Sequence, residues 1–430
     1  IINHKTSQSL HCSSRSDVPF YLTTDSQMPN APQTATIVTM MKDEGPFLLE
    51  WLAFHRVVGF DNICVYFNDC SDGTAQMLER LEQMGQLRAF ANQVPEGKKP
   101  QPHALTLAQK NPAITQSEWV LVMDADEFVH IKTGAGHLSD LLRALPDKTD
   151  AVAMTWRIMG SSGIIDWNPG LVSEHYHRGA SDGFRKGWGV KTMFRPFAHM
   201  KFGIHRPSIK QRKQNPDREA ALLAQNWVNG AGRPLTRRFK SSAWRSSTHT
   251  IGYDLVEMNH YATRSIESFL LRDLRGNVNN KIGKYDPAYF AIFDRNEESH
   301  TGVQRHLPKV KEQIAAYLAD PVLRDLQTRA NAFHQDRLDR LKAKPDYGAR
   351  VQALRDAGAT ALQDLEKVLY TQSLPPEAKQ QVAELKARGA SDAQIAQLIA
   401  HSPLIAQIER ETDEADAAEY AALGIALNRS

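Results

Sequence analysis

Cysteine is nearly absent: Cys12, Cys64 and Cys70 are the only three in the chain, an odd number without paired or metal-ligand spacing. That argues against a disulfide framework and fits a reducing compartment. Long apolar runs are missing too. No stretch reaches the roughly 18 to 20 apolar residues that cross a bilayer, and the start lacks the charged-then-apolar pattern of a secretory leader. Because the first residue is Ile1 rather than Met, the expectation about a leader covers only the sequence as given. Charge of one sign is also scarce, at net +3 from 52 Lys and Arg against 49 Asp and Glu. Wholesale nucleic-acid binding is therefore not expected. These absences together lead to the expectation of a cytoplasmic protein, at most peripheral at the inner face of a membrane.

What is present is ordinary for a folded protein, with 41% hydrophobic and 23% charged residues. At 430 residues the chain exceeds the usual single core. Its character divides it into a polar N-terminal extension (1–33), an α/β domain (34–300) and an α-helical C-terminal region (301–430). The charge is unevenly spread. Within 201–245 eleven Lys or Arg stand against Asp217 and Glu219 alone, whereas 409–419 is acidic. Some of Arg206, Lys210, Arg212, Lys213, Arg237, Arg238 and Lys240 are thus expected to meet an anionic partner, either an acidic polysaccharide or a membrane face.

The most informative stretch is EWVLVMDADEFVH, 118–130. Its apolar part is too short for a typical helix and reads as a buried strand. Asp124, Asp126 and Glu127 follow at its end. In an extended chain Asp124 and Asp126 share a face, and two such carboxylates are tolerable side by side only around something positive. A hard divalent cation, Mn²⁺ or Mg²⁺ carrying a substrate's phosphates, fits that demand.

Two strand-helix units precede it. An apolar, β-branched run at 36–41 stops at Lys42, Asp43, Glu44 and Gly45, and a helix with Pro46 in its first turn ends at Gly59. A second strand, 60–67, stops at Asn68-Asp69-Cys70-Ser71-Asp72-Gly73-Thr74 before another helical pattern. Strand, polar loop and helix in alternation predict a doubly wound, mostly parallel sheet whose ligands bind beyond the carboxyl ends of the strands. Three polar strand ends converge there, with Gln101, His103 and Lys110 entering from the segment before the third strand.

The motifs KDEG, YFNDCSDGT and DADEF, in this order and spacing, resemble the nucleotide-diphosphate-sugar domain of GT-A glycosyltransferases, in the family 2-like branch and its family 92 relatives. The resemblance covers about residues 34–300. It implies a Rossmann-like α/β fold and transfer of a sugar from a nucleotide diphosphate, UDP first, to a glycan or polysaccharide. It places Asn68 near the base, Asp72 in the DGT turn, and Asp124 and Asp126 in the metal motif. It also implies that His260, ending a later strand, completes the metal shell, that Arg264 reaches the diphosphate, and that Trp156 with Ser161 and Ser162 of the following loop lines the acceptor side. His205 and Arg206, which close the 190–197 strand, are assigned to the same wall. Inversion is implied as well, and with it a carboxylate base drawn from Glu174, Asp166 and Asp182, Glu174 first.

The C-terminal region reads as packing helices, with Ser373 and Ser391 as caps and no chemistry. A non-catalytic nucleotide- or glycan-binding module on the same fold is the alternative. A haloacid-dehalogenase-type phosphatase also ends a strand in D-x-D. It usually has Thr or Val two residues after the second Asp, where this chain has Phe128.

Overall fold

The structure, a computed structural model, describes residues 34–209, 215–275, 285–361, 376–390 and 403–427. The N-terminal extension, the charges of Lys210, Arg212 and Lys213, and the caps expected at Ser373 and Ser391 lie outside the described residues.

The strands in chain order are β1 (Ala35–Met41), β2 (Asn62–Phe67), β3 (Arg88–Ala91), β4 (Trp119–Val122), β5 (Glu127–Ile131), β6 (Ala151–Ile158), β7 (Arg178–Gly179), β8 (Val190–Phe194), β9 (Met200–Lys201), β10 (Ser208–Ile209), β11 (Trp227–Asn229), β12 (Val256–His260) and β13 (Glu298–Ser299). The main sheet runs β3-β2-β1-β4-β8-β6-β12-β5, with β11 also on β6. Strands β2, β1 and β4 are parallel neighbours, as the sequence predicts, and β3, which it does not predict, extends them in the same direction. The sheet is nevertheless mixed, because β8 runs antiparallel between β4 and β6, and β5 antiparallel to β12. This reversal brings the start of β8 to the edge where β4, β6 and β12 end.

Helix Gly45–Val58 follows β1 with Pro in its first turn, and it stops at Gly59, whose φ of 110° suits glycine. It is buried on most sides. Strands cover one flank, and the C-terminal helices Leu307–Leu318 and Pro321–Lys342 cover the other. The approach is close: a Cβ on Gly45 would lie 2.9 Å from the Ala330 Cβ. Val310, Tyr317, Leu323, Ala330, Leu338 and Leu341 accordingly belong to the same apolar core as Phe47, Leu52 and Val58. Each fully buried large side chain there contributes roughly 1.5–3 kcal/mol. No helix among the described residues is long and apolar enough to cross a membrane.

Candidate active site

The carboxyl edge of the parallel strands is first a set of backbone ties. Asp72 accepts from the Gly45 N–H at 2.9 Å, the Thr74 N–H at 2.9 Å and the Thr74 hydroxyl at 2.5 Å. Thr74 Oγ1 in turn accepts from the Glu44 N–H, and Asp43 accepts from the Ser71 N–H at 2.6 Å. The two loops are thereby locked together. Burial pushes the Asp72 carboxyl above its ordinary value. Asp43, Asp69 and Arg264 all hold positive φ, at 52°, 50° and 55°. Asp tolerates that region, while for Arg it costs roughly 1–3 kcal/mol. Arg264 is held by Glu44, 3.1 Å away, and by the Phe47 ring, 3.6 Å from its guanidinium carbon.

The acids after β4 are each matched to a cation. Asp124 accepts from Gln101 Nε2 at 3.0 Å and from Lys191 Nζ at 2.9 Å. Lys191 is fully buried, and it also donates to the Ile204 carbonyl at 3.0 Å and lies 3.5 Å from Glu127. Glu127 takes the Trp156 indole N–H at 2.7 Å and the Asp124 N–H at 2.7 Å. Burial pushes its carboxyl up to about 8 despite Lys191. Burial would also deprotonate Lys191, but Asp124 and Glu127 hold its ammonium above the ordinary value.

Asp126 faces another way. One oxygen accepts from Arg272 at 2.7 Å, and the other lies 3.7 Å from His260 Nε2. Against the effect of burial, Arg272 and His260 hold this carboxyl below the usual range. Burial pushes His260 down to about 4, which leaves its ring neutral, as a metal ligand must be. Register explains the meeting, since His260 pairs across β12 and β5 with Glu127. Asp126 and His260 fit a divalent cation, because two donors bonded to one ion at about 2.0–2.2 Å lie roughly 3–4 Å apart. Asp124 is turned to Gln101 and Lys191 instead. Among the described residues no group of three or more His, Cys, Asp or Glu could hold a metal, so a cation here needs water and phosphate oxygens to complete its shell.

Arg272, the partner of Asp126, also lines a small cavity of about 30 Å³ with Arg264, Arg337, Asp43, Phe333 and His334. Arg337 stands 3.7 Å from Asp43 and comes from helix Pro321–Lys342, so the C-terminal region contributes a side chain to this cavity. A second cavity, of about 580 Å³, opens beside β2 and β3 and is lined by Asn68, Asp69, Cys70, Asn92, Lys98 and Pro100. His103 pairs with Asn92 at 2.7 Å beside it, and Lys42 is half-buried after β1. Asn68 Oδ1, His260 Nδ1, Arg264 Nε and Arg272 Nε are buried with no hydrogen-bond partner.

The expected acceptor wall is only partly assembled. Trp156 packs on His260 at 4.7 Å and on His205 at 5.4 Å between ring centres. Ser161 and Ser162, expected in a loop free to approach a ligand, instead donate their N–H groups to Asp294 and Asn296 at 2.5 and 2.7 Å. A Cβ on Gly160 would collide with the Arg295 carbonyl, so the glycine serves backbone packing there. Arg206 donates to the Lys240 carbonyl at 2.7 Å. The three acids expected to supply the base lie at the surface in ion pairs: Glu174 with Lys311 at 2.8 Å, Asp166 with Lys342 at 3.9 Å and Asp182 with Arg157 at 2.5 Å.

Much of the basic segment is answered from within. Asp416 of the acidic helix Pro403–Ala422 accepts from Thr236, Arg238 and Ser247, and Glu419 accepts from the Arg237 N–H. Lys240 donates to the Gln225 carbonyl at 2.6 Å.

Sequence reasoning missed Lys191, Arg272 and Arg337. Lys191 had a signal, a lone charge inside the apolar run VKTMF; the two arginines sit on amphipathic helices like any solvated cation.

Residues 38–223 match the glycosyltransferase family 92 model. A glycosyltransferase family 92 protein of Ricinus communis is 27% identical over 122 residues, 28% of this chain and 21% of that protein. The chain thus matches about a fifth of that relative's length. Among solved structures, TarS 1–349 of S. aureus aligns over 80% of this chain and 93% of its own at 11% identity and TM-score 0.28. Glucosyl-3-phosphoglycerate synthase of Mycobacterium tuberculosis, in complex with Mn²⁺, UDP and glucosyl-3-phosphoglycerate, aligns over 29% and 45% at 18% identity and TM-score 0.20. The match of residues 38–223 to the glycosyltransferase family 92 model agrees with the strand order of the sheet and with the acids at its strand ends.

Proposed function

We propose that the protein is a metal-dependent glycosyltransferase that moves a sugar from a nucleotide diphosphate, UDP first, onto a hydroxyl of a glycan or polysaccharide with inversion. The observation that carries this reading is the set of orphaned polar atoms along one sheet edge, on Asn68, His260, Arg264 and Arg272. A buried polar atom left unpaired costs about 1–3 kcal/mol, and a nucleotide diphosphate has a partner for each region. The base belongs in the larger cavity beside Asn68, and the diphosphate beside Arg264, Arg272 and Arg337. Asp126 and His260 would hold Mn²⁺ or Mg²⁺, whose chemistry when bound is Lewis-acid stabilisation of the departing diphosphate.

In the reaction the acceptor oxygen bonds to the anomeric carbon as the bond from that carbon to the diphosphate oxygen breaks. The electron pair leaves with the nucleoside diphosphate, and the acceptor's proton goes to a base. Arg264 and Arg272 offset the charge that gathers on the leaving group. Asp124, fixed by Gln101 and Lys191, is an acceptor for donor hydroxyls. Which carboxylate takes the proton is to be decided among Glu174, Asp166 and Asp182 by comparing their amide variants.

A panel of nucleotide sugars, with Mn²⁺, Mg²⁺ or a chelator and detection of released nucleotide, tests the proposal. Turnover of a UDP-sugar that stops with the chelator is the expected result. Tight nucleotide binding without turnover on any donor would establish the binding-module alternative. We also propose a cytoplasmic location with peripheral contact to an anionic surface through 201–245; sedimentation with anionic vesicles should fall as salt rises.

A further inference from the structure

Trp244 is 40% exposed, and it is the aromatic among the large apolar side chains that the described residues leave in water. Its ring stacks on His205, with centres 4.5 Å apart and planes 25° apart. His205 meets Trp156, which packs on His260 beside Asp126 and gives its indole N–H to Glu127. A continuous file of rings therefore leads from solvent to the carboxylates after β4.

The exposed ring is held in place. The Trp244 carbonyl accepts from the Val190 N–H at 3.1 Å, the Ser246 N–H donates to the Trp188 carbonyl at 2.8 Å, and Gly189 pairs with Arg245 as an antiparallel bridge. Arg245 donates to the carbonyls of Arg185 and Lys186 at 2.8 and 2.9 Å. Val190 precedes Lys191 on β8, so the segment carrying Trp244 is fastened to the strand that neutralises Asp124. Burial pushes His205 down to about 4, so the stack is formed by neutral rings.

A rigid indole partly open to water, with the Arg245 guanidinium 5.3 Å from its ring centre, suits a ligand with an apolar face and a polar rim. The axial C–H face of a pyranose carries slight positive charge and lies flat on the negative face of an indole, while its hydroxyls stay solvated or reach polar groups nearby. A peptide or lipid surface would need a wider apolar patch than this one ring.

We propose that Trp244, backed by His205, is the platform on which a pyranose of the acceptor glycan stacks. The assignment deepens the glycosyltransferase reading and rests on it for the word acceptor, though not for the binding of sugar.

The test uses the full chain and its Trp244→Ala and Trp244→Phe variants. Each is titrated with disaccharides and methyl glycosides of glucose, galactose, mannose and N-acetylglucosamine, read by calorimetry and tryptophan fluorescence, and separately with UDP and Mn²⁺. The expected result is that the best sugar for the wild type binds about tenfold more weakly to Trp244→Ala, within about threefold to Trp244→Phe, and that UDP binding is equal in all three. Equal sugar affinity in Trp244→Ala, or no measurable binding of any of these sugars to the wild type, overturns the platform. Sugar binding that depends on Trp244 in a chain that binds no UDP sustains the platform and refutes the transferase reading instead.

Discussion

The two halves of the main sheet use charge in different ways. In the parallel half, β3-β2-β1-β4, acids such as Asp72 and Asp43 accept from backbone N–H groups of the neighbouring loop and shape the edge. In the mixed half, β8-β6-β12-β5, and the helix after it, charges meet charges far away in sequence: Lys191 with Asp124, Arg157 with Glu257 at 3.1 Å, and Arg272 with Asp126. The first half builds a scaffold from local geometry. The second supplies the cations that make its carboxylates tolerable.

The sharpest way to break that comparison is Lys191→Met. It leaves Asp124 and Glu127 without their buried cation, and removing one partner of such a pair costs about 3–5 kcal/mol. Denaturant unfolding should register that loss; a change below about 1 kcal/mol would show that the mixed half does not neutralise the parallel one. Next comes Asp126→Ala, which takes one of the two donors from the candidate cation site. Calorimetry of UDP with Mn²⁺ should show affinity falling about 10- to 100-fold, with the affinity in chelator nearly unchanged.

His55 joins the halves, since its Nε2 accepts from the Val129 N–H of β5 at 3.4 Å while Nδ1 donates to the Trp51 carbonyl at 2.8 Å. Burial pushes this imidazole down to about 3 from an ordinary 6.5. Its folded value lies below the unfolded one, so unfolding takes up a proton in acid. The contribution is complete above pH 6.5 and falls by up to about 1.4 kcal/mol per unit as pH drops towards 3. Unfolding at pH 7 and pH 5 should show a smaller difference in His55→Phe than in the wild type.

Arg337→Gln is expected to weaken UDP binding about fivefold, because one of three guanidiniums at the smaller cavity is lost, and the loss should shrink at high salt. The smallest effect is expected from Glu174→Gln. Its carboxylate is 41% exposed and tied to Lys311 at 2.8 Å, so kcat should change less than about twofold. A hundredfold fall with unchanged nucleotide affinity would instead mark Glu174 as the general base.

How much of this was legible follows from the range over which each feature is decided. The runs ending in KDEG, NDCSDGT and DADEF were readable because strand and helix periods and turn chemistry act within a few residues. Strand β3 escaped notice: its four residues RAFA are short and mostly half-buried or exposed. So did β5, because EFVHI follows the acids without a turn signal and gains strand form only by pairing with β12.

The sequence by itself determined the alternation of elements, the position of three polar strand ends on one edge and the presence of acids there. Tertiary structure decided the rest. The reversed insertion of β8, which puts Lys191 beside Asp124, depends on strand pairing across dozens of residues, and no local pattern encodes it. Docking of helix Pro321–Lys342 on Gly45 likewise placed Arg337, by sequence an ordinary helix cation, beside Asp43 at the smaller cavity. Long-range contacts of this kind are won by packing and burial, which a reading of local period and composition does not contain.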